Sequence, residues 1–197
     1  MKLFKRNKLN NKGFTFIELI VTIAIIAIVS SIFLLSQKSV NGSQKLEMSA
    51  QKLASDLRQM QSYVLNLQDH NGSFPDGGWG IRFQKTSGNN TSYSLYADDN
   101  SDRVLGAGEQ YLDNIALPGG VYIEELWLDD HTSTEFTPNN LFVTFEPPDP
   151  RVWICRNAGQ CNPDPEGVKA EITLSNSDNT IERVIEINKY GLIDVQD

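Results

Sequence analysis

The most informative stretch of this chain is Lys12-Gly13-Phe14-Thr15-Phe16-Ile17-Glu18, together with the apolar run that follows it to Leu35. Phe14 to Leu35 is 22 residues long, and at about 1.5 Å per residue a helix of that length measures about 33 Å, enough to span a bilayer. Glu18 is the one ionisable residue in the run. An ionised side chain in hydrocarbon costs about 3 kcal/mol or more, so it is rarely left without a partner. The sequence therefore predicts a transmembrane helix segment at residues 14–36 that carries one carboxylate of special importance.

Charge predicts the orientation of this helix. Flanks rich in lysine and arginine stay in the cytoplasm, so the chain is predicted to cross the cytoplasmic (inner) membrane once, with its C-terminal head outside the cytoplasm. The basic residues before Phe14 are Lys2, Lys5, Arg6, Lys8 and Lys12, with no acidic residue among them. The residues after Gly13 contain 12 basic and 25 acidic side chains. This balance opposes a general attraction to phosphate backbones or anionic lipid and disfavours nucleic acid as a partner.

The glycine–phenylalanine junction, followed by a carboxylate at the fifth position of the apolar run, closely resembles the class III signal of type IV pilins and pseudopilins. The resemblance implies that residues 1–13 are a leader peptide. A prepilin peptidase/methyltransferase would cut between Gly13 and Phe14 and methylate the new amino group of Phe14. Glu18 would then meet the N-terminal amine of an adjacent subunit. The further implied partners are other pilin or pseudopilin subunits, a membrane assembly platform and membrane lipid, and the implied final location is a filament or the cell surface.

Two other interpretations of the N-terminus fit less well. An ordinary secretory signal peptide has an apolar core of about 7–15 residues and a cleavage site of small residues, and this run is longer and has no such site. A plain membrane anchor fits the length but leaves the Gly13–Phe14 junction and Glu18 unexplained. For Glu18 itself, the alternative to pairing is a carboxylate near the membrane surface, protonated or solvated.

A second helical pattern is predicted at residues 37–68. Apolar residues recur there at alternating spacings of four and three, which is typical of one face of a helix. They are Leu46, Ala50, Leu53, Leu57, Met60, Val64 and Leu67. We expect this stripe to pack on a sheet, and a helix continuous with the membrane segment would measure about 80 Å. A coiled coil is the alternative, although the stripe provides few heptads.

Residues 69–197 are predicted to form a β-rich extracytoplasmic head. Turn-forming residues in His70 to Gly80 end the helix, and seven later segments have the composition and spacing of short strands. They are Trp79 to Gln84, Ser92 to Ala97, Val121 to Leu128, Leu141 to Glu146, Val168 to Ser175, Thr180 to Asn188 and Leu192 to Val195. The predicted fold class is α+β, with a long N-terminal transmembrane and amphipathic helix packed on an antiparallel β-sheet or sandwich head, as in pilins.

Small motifs in the head look like the C-terminal domain of the H-type minor pseudopilins of type II secretion and their fimbrial T-type relatives. In chain order they are Gly80-Ile81-Arg82-Phe83, Tyr93-Ser94-Leu95-Tyr96-Ala97-Asp98, Leu117-Pro118-Gly119-Gly120-Val121 and Ile187-Asn188-Lys189-Tyr190-Gly191-Leu192-Ile193. The proline-rich stretch Glu146 to Gly167 departs from that pattern and is interpreted as an insertion. Roles of individual loop residues are therefore not carried over.

Cys155 and Cys161 are the only cysteines in the chain. An even number of cysteines in an exported domain favours a disulfide, and closing so short a loop stabilises the fold by about 2 kcal/mol. Free thiols are the alternative. Two cysteines without nearby histidines fit a zinc site poorly.

Asp98, Asn100 and Asp102 follow the pattern D-x-N-x-D, and Glu109 lies at the twelfth position of the same stretch. This is the spacing of oxygen ligands in a calcium loop, whose last carboxylate binds the ion through both oxygens. Arg103 occupies the sixth position, where such a loop needs glycine. The expectation is a protein without a cofactor, with calcium at these four residues as the alternative. A turn rich in Asp and Asn explains the stretch without any ion.

Catalysis has little support in the sequence. The only histidines, His70 and His131, lie in polar, turn-like segments, and there is no nucleophile elbow, phosphate-binding glycine loop or pair of metal-binding histidines. The prediction is therefore not an enzyme but a structural minor pilin or pseudopilin subunit of a type IV pilus or a type II secretion pseudopilus. The alternatives are a pilus-tip recognition (adhesion) or DNA-uptake subunit, and a membrane-anchored domain that never polymerises.

Overall fold

The computed structural model describes residues 13–86, 88–106, 109, 111–129, 137–148, 151–156, 160–161 and 169–196, with the backbone alone at residues 33–40, 129 and 160. The predicted leader lies outside the described residues except for Gly13. So does half of the stretch from Glu146 to Gly167, namely residues 149–150, 157–159 and 162–167. The chain divides into two compact units, Met1–Val40 and Asn41–Asp197.

Helix α1, Phe16–Leu65, contributes to both units. In the first unit every residue from 13 to 32 is exposed, so the apolar side chains are not covered on any side of the helix. The large ones are Phe14, Phe16, Ile17, Leu19, Ile20, Val21, Ile23, Ile25, Ile26, Ile28, Val29 and Ile32. Among the described residues, no helix has both the length and the hydropathy of a membrane span. The end of the predicted membrane segment, residues 33–36, lies outside the described side chains.

In the second unit the apolar stripe of α1 enters a hydrophobic core, as the spacing predicts. The buried helix side chains are Leu46, Ala50, Leu53, Ala54, Leu57, Met60 and Val64. The prediction for Leu67 is wrong, because its side chain is 63% exposed. The helix has already ended there: Leu67 has φ 49°, its N–H donates to the carbonyl of Val64 at 3.1 Å, and Gln68 N–H donates to that of Tyr63 at 2.8 Å. This pair of bonds is a Schellman closure, which turns the chain away from the core.

Ten strands are described after the helix. They are β1 Gly78–Gln84, β2 Ser92–Asp98, β3 Tyr111–Ala116, β4 Val121–Asp129, β5 Asn140–Glu146, β6 Arg151–Arg156, β7 Gln160–Cys161, β8 Lys169–Asn176, β9 Glu182–Asn188 and β10 Ile193–Gln196. They form a six-stranded sheet in the order β3-β2-β1-β5-β6-β7 and a four-stranded sheet in the order β10-β9-β8-β4. The pairings between them are antiparallel. The predicted α+β class is therefore confirmed.

One hydrophobic core contains the helix stripe and side chains from both sheets. A polar contact inside it links the helix to β2: the Tyr93 hydroxyl donates to Asp56 Oδ2 at 2.7 Å, while Lys52 pairs with the other oxygen of Asp56. Burial, followed by the hydrogen bond to Asp56, raises the pKa of Tyr93, so its hydroxyl remains a donor. A buried carboxylate must be satisfied, so this contact favours one register of the helix on the sheet.

The seven predicted strands all correspond to described strands, with ends shifted by up to two residues, and three strands were missed. Strand β3 lies at a sheet edge and has no inside–outside alternation of burial, which removes the periodicity that identifies a strand. Strands β6 and β7 lie in the stretch interpreted as an insertion. Residues 151–156 of that stretch pair with β5 along their whole length.

Candidate functional site

The residues of the predicted processing site, Gly13 and Phe14, lie immediately before helix α1. Both are exposed, and the side chain of Phe14 is 79% accessible. A Cβ atom added to Gly13 would meet no atom within 4 Å. The fold of the chain therefore does not require glycine at this position.

Glu18 lies in the first turn of α1 and is exposed. The N–H of Glu18 donates to Thr15 Oγ1 at 3.4 Å, and the Thr15 hydroxyl donates to Glu18 Oε2 at 3.5 Å. The first bond caps the start of the helix, because the threonine hydroxyl accepts from the N–H three residues later, and the second joins the two side chains. A carboxylate there also interacts favourably with the helix dipole. Glu18 thus has a local role besides any contact with another subunit.

Three of the four predicted calcium ligands come together beyond the end of β2. Carboxylate oxygens of Asp98, Asp102 and Glu109 all lie within 4.8 Å of one another. Asn100 has a different role: its amide donates to Asp102 Oδ2 at 3.1 Å, and its oxygen accepts from Asp102 N–H at 2.8 Å. We refer to Asp98, Asp102 and Glu109 as the acidic cluster.

Two members of the acidic cluster are removed from solvent. Asp98 is fully buried and Glu109 is half-buried. One oxygen of each carboxyl accepts a backbone hydrogen bond, from Arg103 N–H to Asp98 Oδ2 at 2.8 Å and from Gly106 N–H to Glu109 Oε2 at 2.7 Å. The other oxygens, Asp98 Oδ1 and Glu109 Oε1, are buried and accept no hydrogen bond from an N–H or hydroxyl group of the described residues, and the two carboxyl groups lie within hydrogen-bonding reach of each other. A buried acceptor without a partner costs free energy and calls for an explanation.

The electrostatics of the acidic cluster disfavour three negative charges. Burial raises the pKa of Asp98; the Arg103 N–H opposes this rise and the charge of Asp102 adds to it. Burial also raises the pKa of Glu109, to about 7, with further contributions from the charges of Asp102 and Asp98 and an opposing one from Gly106 N–H. Burial and like charges both penalise the ionised form of a carboxyl. A positive charge or a proton in the cluster would relieve this penalty.

Arg103 is the only basic residue between positions 98 and 109, yet its guanidinium is engaged elsewhere. It lies 3.8 Å from the ring centroid of Trp153 and 3.5 Å from Glu146 Oε2, and the Trp153 indole also donates to Glu146. The backbone of Arg103 has φ 67°, the conformation that glycine adopts at the sixth position of a calcium loop. Sequence reasoning missed this support, because Glu146 and Trp153 come from β5 and β6 and no local pattern connects them with Arg103.

Cys155 and Cys161 form a disulfide in the structure, with an S–S distance of 2.10 Å. The two residues face each other across the β6–β7 pair. The buried Cys155 packs with Val104 and Leu105, which belong to the loop of the acidic cluster, and with Tyr96 and Phe142. The bridge therefore supports the apolar side of that loop.

Removing the disulfide is expected to lower the free energy of unfolding by about 2 kcal/mol, because the bridge limits the freedom of the unfolded chain. The change is Cys155→Ala with Cys161→Ala, and the measurement is urea unfolding of the full-length chain in detergent. Tryptophan fluorescence reports on the head alone, since Trp79, Trp127 and Trp153 are the only tryptophans. Reduction of the unaltered chain keeps both sulfur atoms and should lower the midpoint similarly. An unchanged midpoint in both experiments would contradict this role.

Comparison with known families gives one match. The prokaryotic N-terminal methylation motif matches residues 8–34, which include Gly13, Phe14 and Glu18. No curated protein and no solved structure has significant similarity to the chain. The motif supports a type IV pilin-like or pseudopilin subunit, and it indicates a structural subunit rather than an enzyme. It also implies processing by a prepilin peptidase, assembly with other pilin subunits, and anchoring in a membrane.

Proposed function

We propose that this chain is a minor pilin or pseudopilin subunit that is cut after Gly13, methylated on Phe14 and assembled through its N-terminal helix into a type IV pilus or a type II secretion pseudopilus. The observation that carries the proposal is the methylation motif at residues 8–34. Before assembly, residues 14–36 span the cytoplasmic membrane and the head lies outside the cytoplasm. The leader, residues 1–13, stays on the cytoplasmic side because of its five basic residues.

The exposure of the first helical unit supports this proposal. A helix that is apolar on every side needs lipid or other helices around it, and residues 13–32 are exposed in the isolated chain. Bilayer lipid covers this surface while the subunit is stored, and the helices of neighbouring subunits cover it in a filament. The same surface thus serves both states.

Glu18 supports the assembly step. Cleavage leaves an amino group on Phe14 at the start of the same apolar segment, and burying either charge alone is costly. Pairing the carboxylate of one subunit with the amino group of the next offsets much of this cost and fixes the axial position of one helix against the other. The carboxylate is exposed in the single chain and bonded only to Thr15 among described groups, so it is accessible to such a partner.

The head is proposed to be of the H-type minor pseudopilin or fimbrial T-type kind. The first two motifs lie in the neighbouring strands β1 and β2, where Gly80 pairs with Tyr96. A Cβ atom at Gly80 would overlap the ring of Tyr96, so the two motifs depend on each other through packing. The other two motifs form the turn between β3 and β4 and the hairpin of β9 and β10, where Gly120 and Gly191 have positive φ.

The experiment that tests the proposal is the Glu18→Gln substitution in the native host. The introduced amide carries no charge but keeps an oxygen that can accept from the Thr15 hydroxyl as the carboxylate does. We expect normal leader removal and a normal amount in the membrane. The amount in the sheared filament fraction, measured by immunoblot, should fall by about tenfold or more, which corresponds to the loss of about 1.4 kcal/mol or more from each subunit contact.

Thr15→Ala is the matched control for this experiment, because it weakens the helix cap by about 1 kcal/mol and keeps the charge of Glu18. Its incorporation should remain close to that of the unaltered chain. If Glu18→Gln is incorporated normally while Thr15→Ala fails, capping rather than charge explains the residue. If both variants are incorporated normally, the pairing role of Glu18 is excluded.

A further inference from the structure

The structure assigns a calcium-binding site to the acidic cluster, with Asp98, Asp102 and Glu109 as ligands. Asn100 positions Asp102 through hydrogen bonds and does not contact the ion. This assignment is independent of the N-terminal helix and of filament assembly. It differs from the expectation based on sequence spacing, which made Asn100 an equivalent ligand. The site is built by the chain between the end of β2 and the start of β3.

The distances fit one ion of calcium's size. No two of the donor oxygens are more than 4.8 Å apart, which is about twice the calcium–oxygen distance of about 2.4 Å. A single ion between them therefore reaches all three carboxylates without a large movement of the backbone. Waters and backbone carbonyls complete the coordination of calcium in proteins, which takes about 6–8 oxygens.

The unsatisfied oxygens distinguish this cluster from an ordinary acidic surface. Asp98 is 0% exposed, and its Oδ1 is buried without a hydrogen bond from an N–H or hydroxyl group of the described residues, as is Oε1 of Glu109. The carboxyl of Asp98 packs against Gly77, where an added Cβ would overlap it, so position 77 cannot carry a side chain. A cation bound by these oxygens satisfies both of them at once.

The loop is held in shape before an ion arrives. Asn100 and Asp102 bond to each other through two contacts, and Asp102 Oδ1 also accepts from Val104 N–H at 3.0 Å. The Arg103 carbonyl accepts from the hydroxyl of Thr144 at 3.0 Å, and the guanidinium of Arg103 is directed to Trp153. The ligands are therefore positioned by neighbours that do not themselves bind the ion, and the guanidinium of Arg103 contacts Trp153 and Glu146 instead of the acidic cluster.

Calcium is favoured over magnesium by the irregular surroundings. Magnesium requires near-ideal octahedral geometry and loses its water reluctantly, whereas calcium accepts irregular sets of carboxylate and carbonyl oxygens. One of the three carboxylates here is buried, one is half-buried and one is exposed, which is an irregular ligand set. If the head is exported, as the proposed function holds, it meets calcium at the higher concentrations for which extracellular modules are tuned, about 10⁻⁴–10⁻³ M.

The test is isothermal titration calorimetry of the full-length chain, purified in detergent and treated with a chelator, with calcium chloride as the titrant. We expect one calcium ion per chain. Asp102→Asn is expected to weaken binding by about tenfold or more, because affinity depends on the number of charged ligands. Asp102 is exposed, so the fold should tolerate the change. Glu109→Gln, measured in the same way, should weaken calcium binding at least as much. It replaces Asp102→Asn in the test if Asp102→Asn does not fold.

Asp99→Asn is the matched control. Asp99 is exposed, lies next to Asp98 in the chain, and does not belong to the acidic cluster, so its loss should leave the affinity unchanged. An equal loss of affinity in Asp99→Asn and Asp102→Asn would indicate a diffuse attraction to an acidic surface and would overturn the site.

The absence of binding heat with the folded, unaltered chain at about 10 mM calcium would also overturn the site, because this concentration is about tenfold above the weakest affinities of extracellular modules. Binding of magnesium as tightly as calcium would overturn the choice of ion. These results do not depend on whether the chain assembles into a filament.

Discussion

Replacing Gly13 by leucine is expected to stop removal of the leader while the head folds normally. A peptidase that cuts after glycine has no need of space for a side chain there, and each methylene that a tight pocket must reject costs about 1–3 kcal/mol. We therefore expect the cleaved fraction to fall by more than about 100-fold. The measurement is the N-terminal peptide by mass spectrometry of the membrane fraction, which should begin with residues of the leader instead of methylated Phe14.

The structure makes this experiment specific. An added Cβ at Gly13 meets no atom within 4 Å, so an effect on the fold of the chain is not expected, and tryptophan fluorescence of the head should be unchanged. Gly42→Leu is the matched control, because Gly42 is equally free of neighbours and lies in α1 away from the junction. Normal cleavage of Gly13→Leu would place the processing site elsewhere. If cleavage fails in both variants, the defect lies in insertion or expression. Such a result would contradict a role that is specific to Gly13.

Replacing Gly78 by alanine is expected to cause the largest loss of stability of any single methyl group added to the head. Gly78 has φ 90°, a region in which a side chain is strained by about 1–3 kcal/mol. Its new Cβ would also overlap the carbonyl oxygen of Phe145, and backbone cannot move aside as a flexible side chain can. Strand β1 lies between β2 and β5, so displacing it disturbs two pairings. We expect a loss of about 3 kcal/mol or more, a large part of the about 5–15 kcal/mol that stabilises a typical domain.

Urea unfolding followed by tryptophan fluorescence measures this loss. Gly119→Ala is the matched control, since an added Cβ at Gly119 meets nothing within 4 Å and the residue does not have a positive φ. Its free energy of unfolding should stay within about 0.5 kcal/mol of the unaltered chain. Equal midpoints for Gly78→Ala and the unaltered chain would show that β1 can shift without cost and would contradict the packing described above.

Much of the fold could be predicted because its periodicity is local. The alternating spacing from Leu46 to Val64 predicts the buried helix face, and clean alternation predicts strands such as β8. Leu67 continues the same spacing but is exposed, because a Schellman turn ends the helix two residues earlier. This helix end could not be predicted, because no glycine marks the turn. Strand β3 was missed since a strand at a sheet edge needs no apolar face. Strand β6 was missed because it lies in the proline-rich stretch that was interpreted as an insertion.

The candidate sites divide in the same way. The spacing of Asp98, Asp102 and Glu109 could be recognised in the sequence, because the ligands of a calcium loop come from one short segment. The contacts that shape this loop could not, since they depend on Glu146 and Trp153, about 45 residues away in the chain, and on the pairing of β5 with β6. The hydrogen bonds by which Asn100 positions Asp102 depend on backbone angles. A pattern of residue spacing does not contain these angles, so it could not predict this role.

The seven buried apolar side chains of α1 also determine where the gene can be shortened for work in water. A recombinant fragment that begins at Asn41 keeps the whole compact unit and omits the exposed apolar residues of the first unit. A fragment that begins after Leu65 would lose every one of those seven side chains, and the inner surfaces of both sheets would meet solvent. Such a product is expected to aggregate, however soluble its acidic exterior, because a continuous apolar face that lacks its cover associates with other copies.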